Sequence, residues 1–341
     1  MRMQDVKIDF VLPWVDGNDP EWRKSFLAHL PESGKSDDTR EVRYRDWGLL
    51  RFWFRGVERF APWVNKIHFI TCGHYPDWLD LNHPKLNFVR HEDYIPSEYL
   101  PTFNSNPIEL QLHRLGNLSE RFVLFNDDTF LVGKVNPERF FYQGLPCDIA
   151  AFDVVASTSP ANKFAHTILN NVSAINQRFR KREVLRRHPM KWFHPLYGVH
   201  LFRNIALLPW PYFTGFINPH LPNAYLRSTL MEVWKNYGDL LAEACTERFR
   251  SVNDYSHWLF RYWQLVKGNF HPINVFASSA YVEITEQTMP RIERAIIRQK
   301  RPILVLNDAE LSEHVLFETY QKRLLAAFLR ILPEKSTFEK D

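Results

Sequence analysis

Residues 121–128 read Arg-Phe-Val-Leu-Phe-Asn-Asp-Asp, a short apolar run that ends directly in two adjacent carboxylates. A few apolar residues bounded by polar ones form the pattern of a strand buried on both faces. In open α/β sheets, ligands sit at the carboxyl edge of such strands, and that is where Asp127 and Asp128 would lie. Adjacent carboxylates repel, so the pair calls for something cationic, and a hard divalent metal suits it. A solvated turn is the alternative reading of Asn126-Asp127-Asp128.

The same kind of run recurs at Ile8–Leu12, Lys66–Thr71, Leu86–Val89 and Ile303–Leu306. Helical spacing marks Arg43–Phe60, Pro107–Leu115, Leu226–Ala244, Ser256–Val266 and Leu311–Ile331. Such alternation predicts an α/β fold with a mostly parallel sheet flanked by helices. Three of the runs lead into acidic ends: Asp16 to Asp19, Asp127-Asp128 and Asn307-Asp308. If those strands are neighbours, their ends converge on one metal- or nucleotide-binding crevice. The interval from about 150 to 215 is rich in Pro, Asn and aromatics, and reads as an irregular or helical insertion or lid. A single domain over 1–332 followed by a frayed charged tail at 333–341 is expected.

Composition narrows the function classes. With 45% apolar and 24% charged residues, the 341-residue chain is globular, and a net charge of +4 does not indicate a nucleic-acid binder. Its three cysteines are odd in number and far apart, without disulfide or zinc spacing, which fits a reducing cytoplasm. No apolar run is long enough to span a membrane, and the N-terminus lacks a signal-peptide core. Aromatics reach 15%; they suit sugar faces, membrane interfaces or simply the core.

Several segments carry polar groups suited to chemistry. Asp16-Gly17-Asn18-Asp19-Pro20 is either a turn or a loop whose backbone approaches a phosphate. In 101–109 a helix entry is predicted, with Asn106 as N-cap, Pro107 at N1 and Glu109 at the capping-box position. Asn104, Ser105, Glu109, His113 and the adjoining Arg114 cluster there, Glu109 and His113 one turn apart, as a hydroxyl-rich ligand would require. His220 is able to take a proton near neutral pH, although a lone His is more often structural. Arg248 and Arg250, with Asp254 close behind, offer cations for phosphate oxygens, with a solvated face as the alternative. The basic stretch from Arg178 to Lys191, ending at Trp192-Phe193, suits anionic lipid, an acidic polymer or plain solvent.

Taken together these segments resemble the Stealth family of sugar-1-phosphate transferases, which includes bacterial capsule phosphotransferases and the catalytic subunit of the lysosomal-enzyme N-acetylglucosamine-1-phosphotransferase. The resemblance is carried first by Ile8 to Pro20. A second, long region runs from Arg40 through Ala61-Pro62-Trp63-Val64-Asn65-Lys66-Ile67, Pro76-Asp77-Trp78-Leu79, His91-Glu92-Asp93 and Pro101 to Glu109, ending at Asn126-Asp127-Asp128. His220-Leu221-Pro222 with Arg248 to Asp254 forms a third, and Leu306-Asn307-Asp308 a fourth. Where the family usually places Tyr or Thr after Val11, this chain has Leu12-Pro13, and the third region is the weakest match. The resemblance implies transfer of a hexose 1-phosphate, typically from a UDP-sugar, to a hydroxyl of an acceptor glycan, using Mg²⁺ or Mn²⁺ in a Rossmann-like domain. It implies a site containing Asp16, Glu109, Asp128, His220, Arg250 and Asp308. Within it, Asp127, Asp128 and Asp308 are expected around the metal and His220, rivalled by Glu109, as the base. Arg250 is expected on the pyrophosphate, and Asp16, Gly17 and Asn104 on the substrate. A metal-dependent glycosyltransferase and a non-enzymatic polyanion- or membrane-binding protein are the competing readings. Peripheral contact with the inner face of the membrane, through 178–193, is expected if the acceptor is lipid-linked.

Overall fold

The computed structural model describes residues 7–30, 44–308 and 314–340. Arg40, Arg43 and the start of the helix expected from Leu311 lie outside them. Ile8–Pro13 is the central strand, buried along almost its whole length. It pairs in parallel with Ile67–Thr71 on one side and Arg121–Leu124 on the other. Leu86–Arg90 adds a parallel edge beyond Ile67–Thr71, and Asn223–Leu226 closes the other edge antiparallel. Numbered along the chain, the four parallel strands lie in the order 3-2-1-4, the order of a Rossmann half.

Alternate residues face opposite sides, as the pleat requires. Phe10, Leu12, Phe69, Val123 and Phe125 enter one core, built with the helices Leu50–Phe60 and His314–Ile331. Val11, Ile70, Phe122 and Leu124 enter the other, with the helices Lys163–Arg178, Arg227–Cys245 and Trp258–Lys267. Asp9, fully buried in the central strand, is satisfied by Asn65, His68 and the Ser119 N–H.

The architecture differs from a single mostly parallel sheet. Ile303–Asn307 belongs to a second, three-stranded sheet with Ser279–Glu283 and Thr129–Leu131, and a third small sheet joins Phe141–Tyr142, Leu145–Asp148 and His271–Pro272. The result is a mixed α/β fold, loosely Rossmann-like. The interval 150–215 is the irregular or helical insertion expected, and its helices are Lys163–Arg178, Lys181–Arg187, Pro189–Trp192 and His200–Ala206. Among the described residues no helix is long and apolar enough to cross a membrane.

The tail is packed, not frayed. Glu339 receives a bidentate pair of hydrogen bonds from Arg55, at 2.7 and 2.8 Å, and Phe338 is buried against Phe54. Burial opposes the charge of Glu339, but Arg55 and Ser336 outweigh it and hold the carboxyl below its ordinary range. Removing one partner of a buried pair strands the other, so Glu339→Ala should destabilise the chain by about 3 kcal/mol in urea titrations. Because the folded carboxyl titrates low, this contribution is present at neutral pH and fades as pH falls through the folded value. A free tail would show neither effect.

Candidate active site

The crevice of a doubly wound sheet opens where the strand order reverses, here between Ile8–Pro13 and Arg121–Leu124. A cleft of about 440 Å³ lies at that point, walled by Pro13, Trp14 and Val15 from one strand end and Phe125 to Asp128 from the other. Its remaining walls bring Ser105 and Glu109, His220, Arg250, His257 and Trp258 together, with Trp22, Tyr44 and Phe103 forming an aromatic side.

Pairing explains how His220 reaches the acidic turn. Asn223 lies opposite Leu124 in the antiparallel edge, so the chain just before Asn223 runs beside the chain just after Leu124. His220 Nε2 consequently stands 2.9 Å from Asp128 Oδ2, with the Asn126 carboxamide 3.1 Å from the same nitrogen. Burial disfavours the imidazolium, but the Asp128 hydrogen bond and the charges of Asp128, Asp127 and Glu109 together raise the His220 pKa. The loop carrying His220 is held from the helix Trp258–Lys267. Arg261 donates to the Ile217 carbonyl at 2.7 Å while paired with buried Asp148, and Tyr262 donates to Asn218 at 2.6 Å.

Glu109 stands on the helix Ser105–Leu110. Burial pushes its carboxyl up to about 8, only partly offset by the charges of Arg250 and His220. His257 Nε2 lies 3.9 Å from it, its other nitrogen 2.7 Å from the Tyr225 hydroxyl. Burial first, then His220 and Arg261, drive His257 down to about 3, so it is neutral. Asp127 is exposed at the cleft, and its carboxyl is pushed up to about 7 by desolvation against the cleft walls and then by Asp128 and Asp46. Arg250 reaches the Ser105 hydroxyl at 3.3 Å.

Six of the expected residues therefore meet in one cleft: Ser105, Glu109, Asp127, Asp128, His220 and Arg250. The others are placed differently. Asn104, not Asn106, caps the helix, its side chain accepting from the Asn106 N–H, which frees Glu109 from any capping role. Asn104 also donates to both oxygens of Asp254, which takes a further bond from Asn106. Both residues are spent on this buried latch instead of a sugar hydroxyl. After Leu110 the chain tightens into a 3₁₀ turn, Gln111–Arg114, so the expected alignment of Glu109 with His113 is lost. His113 packs on Trp234, and Arg114 is exposed outside the cleft. Arg248 contributes its carbonyl to Phe103, with its side chain at the surface.

Gly17 donates its N–H to the Tyr44 carbonyl, and a Cβ there would come within 2.4 Å of that oxygen. Close approach of Tyr44, not of a phosphate, accounts for this glycine. Asp16 lines a smaller neighbouring cleft with Asp19, Asp46 and His74. Asp308 follows the second-sheet strand Ile303–Asn307, whose Leu306 N–H bonds to the Asp128 carbonyl, and its carboxylate is paired with Arg45 at 2.6 and 2.9 Å. His257 and Trp258 carried no signal, since neither sits in a spacing that marks a site.

Two family descriptions match parts of the chain, and curated relatives match nearly all of it. Stealth protein CR1, conserved region 1, matches residues 6–26, and Stealth protein CR2, conserved region 2, matches residues 43–147. A capsular polysaccharide phosphotransferase, WcwK, of Streptococcus pneumoniae is 43% identical over 98% of both chains. The exopolysaccharide phosphotransferase cps2G of Lactiplantibacillus plantarum is 40% identical over 98% of this chain and 96% of its own. The receptor polysaccharide phosphotransferase WefC of Streptococcus gordonii is 36% identical over 98% and 99%. Among solved structures, apo mouse xyloside xylosyltransferase 1 aligns with a TM-score of 0.33 at 11% identity, covering 88% of this chain and 97% of that one. On identity sustained along almost its whole length, the chain belongs to the Stealth family and is an enzyme of the phosphotransferase class.

Proposed function

We propose that the enzyme transfers a hexose 1-phosphate, with N-acetylhexosamine 1-phosphate the first to test, from a UDP-sugar to a hydroxyl of an acceptor glycan. The product is a phosphodiester in a capsular or other cell-surface polysaccharide, made on the cytoplasmic side where nucleotide sugars are supplied. The observation that carries the reading is the meeting of the His220–Asp128 pair with Arg250 in a cleft sized for a nucleotide sugar. The activity shared by relatives of the same length supports it.

The acceptor oxygen attacks the phosphorus that bears the sugar, the bond from that phosphorus to the bridging oxygen breaks, and UMP leaves with that oxygen. Such displacement depends on positioning and charge neutralisation more than on covalent catalysis. His220 takes the acceptor proton. With Nε2–H directed at Asp128, the basic lone pair lies on Nδ1, and Asp128 steadies the imidazolium that forms. Glu109, its carboxyl held up to about 8, is largely protonated at neutral pH, which favours His220 over it as base. Arg250 faces the phosphoryl oxygens.

A divalent ion suits the acidic turn. Among the described residues no three ligating side chains close around an ion, but Mg²⁺ commonly takes one or two carboxylates and completes its shell with substrate phosphate and water. Asp127, beside Asp128, would hold it, and the crowding that raises Asp127 is what a cation relieves. When bound, Mg²⁺ or Mn²⁺ neutralises charge on the pyrophosphate.

Incubation of the protein with Mg²⁺ or Mn²⁺, UDP-N-acetylhexosamine and an acceptor oligosaccharide should release UMP, dependent on the acceptor. Release of UDP would mean attack at the anomeric carbon and would establish a glycosyltransferase instead. His220→Ala should lower kcat/KM by about 10²–10⁴-fold, and activity near wild type would remove His220 from the role of base. Because Asp128 stabilises the charged ring, the His220 imidazole should titrate above 6.5 by NMR and move to lower pH in Asp128→Asn. An unmoved titration would separate the two side chains.

A further inference from the structure

The insertion carries a surface that the reaction does not use. Met190, Val199, Phe202, Ile205, Trp210 and Tyr212 are each at least half exposed, all within 23 residues. Isolated exposed apolar side chains are ordinary, but a concentration of this kind marks a contact surface. The helix His200–Ala206 is inverted relative to an ordinary surface helix. Val199, Phe202 and Ile205, three residues apart on one face, point outward, while polar Asn204 is fully buried. Asn204 is fixed there by bonds to the carbonyls of Ala150 and Trp192 and from the Phe152 N–H.

The segment after the helix is anchored as firmly. Buried Lys181 donates to the Leu207 and Trp210 carbonyls, and Lys191 to those of Gly268 and Phe270. These two lysines, read in sequence as part of a basic face, are structural. The stretch from Arg178 to Lys191 is accordingly broken into two short helices, with Arg182 and Arg186 left exposed on the first of them. What remains exposed is mostly basic. Between Asp153 and Glu232 the single acidic residue is Glu183, against ten Lys and Arg. Arg203 is paired with Asp153 and Arg187 with Glu183, while Arg182 and Arg186 lie exposed on that first short helix, whose Lys181 is bonded to the Leu207 and Trp210 carbonyls.

We propose that this face docks on an anionic lipid bilayer, with Phe202, Ile205 and Trp210 entering the interface and Arg182 and Arg186 meeting headgroup phosphates. Apolar and aromatic side chains beside arginine, held on a rigid frame, are the composition of an interfacial contact. A second copy of the chain is a poorer occupant, because a two-fold contact would set the same basic patch against itself. The inference is independent of the proposed reaction, since its test measures binding alone.

The purified full chain should float with phosphatidylcholine–phosphatidylglycerol vesicles at low salt and far less with phosphatidylcholine alone. Raised salt should weaken the association. The double variant Phe202→Ser/Trp210→Ser and, separately, Arg182→Glu/Arg186→Glu should each lower partitioning by about tenfold or more. Unchanged thermal melts and unchanged turnover of a soluble acceptor would show both variants folded. Failure to float with either vesicle, or flotation indifferent to both variants, overturns the proposal. Dimers that the Phe202/Trp210 variant dissolves, without vesicle binding, overturn it in favour of a second copy.

Discussion

The site depends on a three-residue turn held at its two ends by two different sheets. Phe125 N–H bonds to the Val11 carbonyl in the first sheet, and the Asp128 carbonyl accepts from Leu306 N–H at the edge of the second, each at 2.9 Å. Between these anchors Asn126 and Asp127 have little freedom, and their side chains are directed by pairing that began far away in sequence. The antiparallel edge strand then fixes where His220 arrives. Geometry that looks local to the cleft is thus a consequence of strand order, set by apolar faces that each strand must bury on both sides.

The loops that carry Arg250 and His220 have no regular structure of their own, and buried polar contacts do the work of a ladder. Asp254 gathers Asn104, Asn106 and the Ser251 N–H, tying the Arg250 loop to the helix that bears Glu109. Arg261, paired with Asp148, ties the His220 loop to the helix that starts beside His257. Breaking either set would strand buried polar groups, so the loops stay registered to each other through the second core.

Much of this was legible from residues alone. All five expected strands form within one or two residues of their expected bounds, because a short apolar run between turn residues is a strong local signal. Pairing was not legible: periodicity states that a strand exists, not which strand lies beside it, so Ile303–Asn307 moved to another sheet. Asp308 followed, captured by an arginine 263 positions away. Asn104 and Asp254 show a second limit. Amides and carboxylates that bind a sugar are the same groups that close a buried latch, and only the partner at hydrogen-bonding distance separates the roles. The tail read as charged and free because Arg55, 284 positions from Glu339, is invisible to a local reading.

Electrostatics separates the scaffold carboxylates from those of the site more clearly than residue type does. Burial acts on all of them, yet Asp9 and Glu339 are held low because fixed donors surround each one. Asp127 and Glu109 face the cleft without such donors and are pushed up to about 7 and about 8. Asp254 falls between, at about 6, since burial outweighs its amide partners and the more distant Arg250. A carboxylate with its donors built in is part of the frame, whereas one pushed up at the cleft resists ionisation until a cation or a donor arrives. The acidic turn is therefore strained electrostatically in the free protein. A divalent cation carried on a diphosphate, the species proposed for this cleft, would relieve it, with Arg250, bonded to Ser105, and His220, paired with Asp128, set to balance the phosphate charge arriving with it.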